Sequence, residues 1–157
     1  MKSLSTKLLG IIASAETGLQ SISDAESTKP VLAGGWSYKQ VLGHLVDSAS
    51  NNHQRFVRAA LQDSLAFPAY EQDAWSRVQC VQDAEWPVLI ALWANYNRYL
   101  AHLLAHLPAA KLDVLCRIGS NDPVSLRFLA EDYLRHLRHH LGQIGLAELP
   151  DSSVEHR

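Results

Sequence analysis

Cysteine is nearly missing from this chain of 157 residues: Cys80 and Cys116 stand far apart and in no CxxC spacing. That excludes a disulfide scaffold and leaves both thiols a structural reading. Positive charge is also short, with 14 Lys and Arg against 16 Asp and Glu, a net charge of -2. A nucleic-acid or anionic-membrane binder needs a basic face, so neither partner is expected. No run approaches 18 apolar residues, which excludes a membrane span. The opening MKSLSTKLLGIIAS breaks into polar residues too soon for a signal peptide, and a cytoplasmic location is expected. Repeats and low-complexity segments are lacking too. What remains is ordinary globular composition, 47% hydrophobic and 19% charged. The length suits one domain with a core of its own, expected over residues 1–150 with a flexible tail at 151–157. Histidine is the abundant oddity. Eight are present, more than Cys, Met or Phe.

Four stretches carry helical periodicity. The first spans about Ser3 to Asp24, with Leu4, Leu8, Ile11, Ile12, Ala15, Leu19 and Ile22 on one stripe. The second opens at Trp36-Ser37, where Ser37 and Gln40 have capping-box spacing, and runs to about Asp63. The third covers about Asp83 to Leu107, with Pro87 in its first turn. The fourth opens near Asp122-Pro123, read as an N-cap and N1 proline, and reaches about Glu148 before Pro150. Strand signals are weak. The reading is an all-α four-helix bundle, with long connections at 64–82 and 108–121 that permit a crossover topology.

Helical phase sorts the histidines, since each residue advances the helix by about 100°. In the fourth stretch His136 and His140 share the core face marked by Leu126, Leu129, Tyr133, Leu137, Leu141 and Ile144. His139 falls off it. An i, i+4 pair on one face suits two ligands of one metal, and equally two core histidines satisfied by neighbours. His102 and His106 share that spacing, but they sit about 120–180° from their helix's apolar stripe, so they read as surface. His44, Ser48, Asn51 and Arg55 form a polar row beside Val41, Leu42, Leu45 and Phe56. Such a row is either solvated or lines a pocket. A third ligand from another helix would leave a metal with an open position, and His44 is the best-placed candidate. His53 and His156 have no claim on such a site.

The segment GGWSYKQVLGHLVDSASNNHQRFVRAAL, Gly34 to Leu61, resembles the second-helix motif of the DinB/YfiT-like metalloenzymes. Gly34, Gly35, Trp36, Ser37, His44, Asp47, Ser48, Asn51, Arg55 and Phe56 match. PAYEQDAW, Pro68 to Trp75, resembles the loop of the YfiT branch, which includes bacillithiol S-transferases. SLRFLAEDYLRHLRHHLGQI, Ser125 to Ile144, resembles its fourth-helix motif. The matches run in order along most of the chain. The resemblance implies a four-helix bundle and a divalent metal, zinc or nickel, on His44, His136 and His140. It departs from the pattern at Arg135, Leu137 and Gln143, where the family has Trp, Gly and His. These departures bear on the pocket, not on the ligands.

A three-His cation with an open position lowers the pKa of bound water or thiol. The resemblance then implies transfer of a low-molecular-weight thiol, as co-substrate, to an electrophile in detoxification or stress response. Asn51 and Arg55 are candidates to orient an anionic part of either molecule. Asp47 is read as an acceptor for a ligand imidazole or as a surface carboxylate, and with Arg55 is the candidate catalytic group. Tyr133 is a core residue with a satisfied hydroxyl or a substrate contact. Two other readings stand beside transfer: metal-dependent hydrolysis, against which the lack of HExxH counts, and a non-catalytic metal-binding stress protein. The resembling family commonly forms homodimers, so the resemblance allows a homodimer, while the residues themselves leave the oligomeric state open.

Overall fold

The computed structural model describes residues 1–146. Helices dominate: α1 (Lys2–Ser21), α2 (Asp24–Ser27), α3 (Tyr38–Leu61), α4 (Gln72–Val78), α5 (Trp86–His106) and α6 (Leu126–Gln143). The four long ones, α1, α3, α5 and α6, form the bundle. α1 packs chiefly on α5, α5 on α3, and α3 on α6. Their apolar stripes meet in one core that contains Leu8, Ile12, Leu42, Leu45, Phe56, Trp93, Leu100, Leu104, Leu126 and Leu137, all essentially without solvent contact. Burial on that scale is the main stabilising term of the fold.

Local chemistry sets the helix starts. Ser37 caps α3 by accepting from the Gln40 N–H, while the Gln40 side chain accepts from the Ser37 N–H, a complete capping box. Pro87 sits in the first turn of α5, where its missing N–H breaks no helical bond.

Three boundaries differ from the sequence expectation. α1 stops at Ser21 and the chain restarts in the short α2, because Ser23 caps a new turn. α6 does not begin at Asp122-Pro123. Val124 and Ser125 form a strand first, and Ser125 becomes the N-cap, accepting from the Phe128 N–H at 3.1 Å. At its other end α6 stops at Gln143 rather than Glu148. Gly145 takes φ +74°, and Leu146 N–H bonds back to Leu141 O at 2.9 Å, a Schellman stop. Glu148 itself and the expected tail at 151–157 lie outside the described residues.

The connections hold the strands that the sequence did not reveal. β1 (Ser64–Phe67) pairs parallel with β2 (Leu115–Ile118), and β2 pairs antiparallel with β3 (Val124–Ser125). The parallel pair needs a crossover, and α5 supplies it. Leu65 and Cys116 are buried against the bundle. The rest of the long 64–82 connection is α4 and a 3-10 turn at Val81–Asp83, folded over the side of α3. Among the described residues, no helix is long and apolar enough to cross a membrane.

Candidate metal centre

α3 and α6 face each other where His44 points across to His136 and His140. One ring nitrogen from each of the three lies within 4.8 Å of the others. Nε2 of His44 and Nε2 of His136 stand 3.1 Å apart. Two ligand nitrogens on a tetrahedral ion with bonds of about 2.0–2.1 Å stand about 3.3 Å apart. The i, i+4 spacing on α6 brings the rings of His136 and His140 to 4.5 Å between centroids, and His44 lies 4.7 Å from His140.

The outer nitrogen of His140 decides its tautomer. Nδ1 of His140 lies 2.8 Å from Oε1 of Gln143. An amide oxygen only accepts, so His140 carries its proton on Nδ1 and keeps a lone pair on Nε2. Nδ1 of His136 faces the Ser48 hydroxyl at 3.4 Å. Nδ1 of His44 is buried with no hydrogen-bond partner. Burial lowers the pKa of all three histidines: His44 falls to about 3 and His136 to about 4; neighbouring imidazoles add to the effect, while Asp132 opposes it at His136 and the Gln143 hydrogen bond opposes it at His140. The site therefore holds neutral imidazoles that converge, the donor set a divalent cation requires. The residues fit a metal.

Two aromatic rings wall the cluster. Trp36 meets His44 edge-on at 5.4 Å, and Tyr70 lies 6.3 Å from it. Trp36 Nε1 donates to Asp73 of α4, and Trp75 packs on Tyr70 at 4.7 Å. Burial pushes the Tyr70 hydroxyl up to about 12, so it stays protonated and able to donate. Tyr70 lay within a recognisable sequence motif, but neither periodicity nor spacing marked it or Trp36 as part of a site, because both come from loops.

The other expected site residues divide. Asp47 is buried, so the surface reading is corrected. Its carboxylate accepts from Gln79 Nε2 at 3.0 and 3.1 Å and, among the described residues, makes no hydrogen bond to an imidazole. Burial raises its pKa, with the Gln79 bond opposing. Asn51 turns its amide back to Asp47 O on its own helix. Arg55 lies over the Phe67 ring and reaches Asn52 only at 3.5 Å, and its buried Nε has no partner among the described residues. Its charge helps to lower His136. Tyr133 is enclosed in the core, where its hydroxyl donates to Asn97 Oδ1 at 2.5 Å. That bond and burial give it packing surroundings rather than an open face. His102 and His106 are exposed on α5, away from the cluster, and His53 bonds Tyr96.

Comparison with known proteins places the chain in a family. The chain is 28% identical over 131 residues to a protein of Oceanobacillus iheyensis provisionally named a metal-dependent hydrolase, covering 82% of this chain and 74% of that one. It is 26% identical over 128 residues to YfiT of Bacillus subtilis, which carries the same provisional name, covering 78% and 70%. The solved structure of YfiT superposes with a TM-score of 0.77 at 23% identity, covering 90% of this chain and 83% of that one. That structure is described as a probable metal-dependent hydrolase with an unusual four-helix bundle topology. The family model described as the DinB superfamily matches residues 13–144, and the chain belongs to that superfamily.

Proposed function

We propose that this chain is a metal-dependent enzyme in which His44, His136 and His140 hold one divalent cation, zinc or nickel. The observation that carries the reading is the convergence of three neutral imidazoles from two helices within 4.8 Å. When bound, such a cation supplies Lewis acidity and lowers the pKa of a nucleophile in its remaining position. The chain's own residues do the rest. Gln143 and Ser48 orient the imidazoles of His140 and His136. The partly buried guanidinium of Arg55, with its Nε unpartnered, offers hydrogen-bond donors to an anionic group of a substrate. Tyr70 holds a proton beside the cluster and donates from it. Trp36 and Tyr70 narrow the access of water.

The sequence resemblance favours a low-molecular-weight thiol as the nucleophile and an electrophile as its acceptor. The names of the relatives favour water, hence hydrolysis. One experiment separates the readings. Protein loaded with zinc or nickel is incubated with low-molecular-weight thiols and a generic electrophile, and separately with esters. Thiol conjugate that disappears in His140→Ala is the expected result. Ester cleavage without thiol assigns hydrolysis instead. Neither product, with one metal still bound per chain, leaves a non-catalytic metal binder and overturns the enzyme reading.

A further inference from the structure

Beside the histidine cluster opens a second space that the metal reading does not use. It is a cleft of about 240 Å³ lined chiefly by Val31, Leu32, Trp36 and Val41, with His140 and Gln143 on its α6 side. His140 therefore belongs to both the cluster and the cleft. Among the described residues that line it there is no other titratable group, so the cleft offers apolar surface and two amides.

The wall is a built feature. Val31 N–H donates to Trp36 O at 3.0 Å, and Pro30 bridges Ser37. Between them Gly35 N–H closes on Leu32 O at 2.9 Å, with Gly34 at φ +74°. That positive φ at the third turn position calls for glycine. The turn holds Leu32 outward, 71% exposed, so this side chain adds little to the core. Trp36 is fixed on its other side by the bond to Asp73.

We propose that this cleft receives the uncharged apolar portion, an aryl or short branched alkyl group, of the substrate that reacts at the histidine cluster. The proposal rests on the reading of that cluster as a reaction centre. The volume supports it. An apolar cavity of about 150 Å³ accepts benzene, so this one has room for a ring and its linking atoms. The chemistry also divides the site into two ends. Arg55 offers donors to an anion, while the Leu32–Trp36 side offers none of that charge. A molecule with a polar anionic part and a neutral apolar part matches both.

The test uses the full chain loaded with zinc and titrated with phenylacetamide, with acetamide as the ringless control, followed by NMR of methyl and indole signals. Phenylacetamide is expected to shift Val31, Leu32 and Trp36, and to bind at least about tenfold tighter than acetamide. Leu32→Glu should weaken it about tenfold, at unchanged metal content and helicity. Val88→Glu, at an exposed residue of α5 outside the cleft, should not weaken it. Equal response to acetamide, shifts on another surface, or wild-type binding in Leu32→Glu overturns the proposal. Turnover of the thiol–electrophile and ester mixtures described above, measured on the same protein preparations, decides the reaction reading separately. Localised binding with no metal-dependent turnover overturns that reading, whereas turnover with the probe bound elsewhere overturns the cleft.

Discussion

His140 and His139 are neighbours in the chain, yet only the first reaches the cluster, and Gln143 touches both. Its Oε1 lies 2.8 Å from His140 Nδ1 and its Nε2 lies 3.2 Å from His139 Nε2. Gln143 thus fixes the ring of a proposed metal ligand while standing where the resembling family has histidine. Removing such an outer partner typically costs about 10–100-fold in metal affinity. Gln143→Ala is therefore expected to weaken zinc binding by about 10–100-fold, measured by competition with a chromophoric chelator, while His139→Ala leaves it nearly unchanged. Elemental analysis should show close to one metal per chain in wild type and in His102→Ala. His44→Ala, His136→Ala and His140→Ala should each lose it, and retention in all three would remove the metal assignment. These residues differ in how legible they were. Helical phase alone chose His136 and His140 over His102 and His106, because an apolar stripe marks which way a helix faces. It left His44 undecided, since no periodicity within one helix says which other helix it meets.

At the scale of elements, the four long helices were readable because each carries a stripe sustained over five turns or so, and α3 and α5 also open on a capping box and a first-turn proline. The strands were not. SLAF and LCRI are four residues each, too short to show an alternating pattern, and their parallel pairing joins segments separated by all of α5. The start of α6 was misplaced for the same reason. Asp122-Pro123 has good N-cap chemistry, but the pairing of Val124 and Ser125 with β2 claims that stretch of backbone first. Within the bundle, Tyr133 of α6 and Asn97 of α5 make a buried polar pair, and the Asn97 amide also donates to Trp93 O. Tyr133→Phe would leave the Asn97 carbonyl without its partner. Destabilisation of about 1–3 kcal/mol is expected in chemical denaturation. Metal affinity should stay close to that of wild type. A large loss of metal would show that Tyr133 acts on the site and not only on the packing of α5 against α6.

For the whole molecule, the cluster is the link between fold and proposed function, because it is built from α3 and α6 and holds three bases between them, His44 buried and His136 and His140 half-buried. In the metal-free protein these imidazoles have pKa values below the unfolded value of 6.5, about 3 for His44 and about 4 for His136. Below pH 6.5 the unfolded chain takes up protons that the folded chain refuses. The contribution to stability is thus complete above pH 6.5 and is lost as the pH falls toward the folded values. The midpoint of urea denaturation of the metal-free protein should accordingly be lower at pH 5 than at pH 7, and a His44→Gln variant should show a smaller drop. Metal works in the opposite sense. A cation that binds only the folded chain adds about 2.7 kcal/mol at a free concentration a hundred times its Kd. Protons compete for the same lone pairs, so this increment should also shrink with acidification. Equal midpoints with and without saturating zinc at pH 7 would mean that the cluster binds no metal in the folded state. A zinc increment that survives unchanged from pH 7 to pH 5 would mean that ligands other than imidazole carry it.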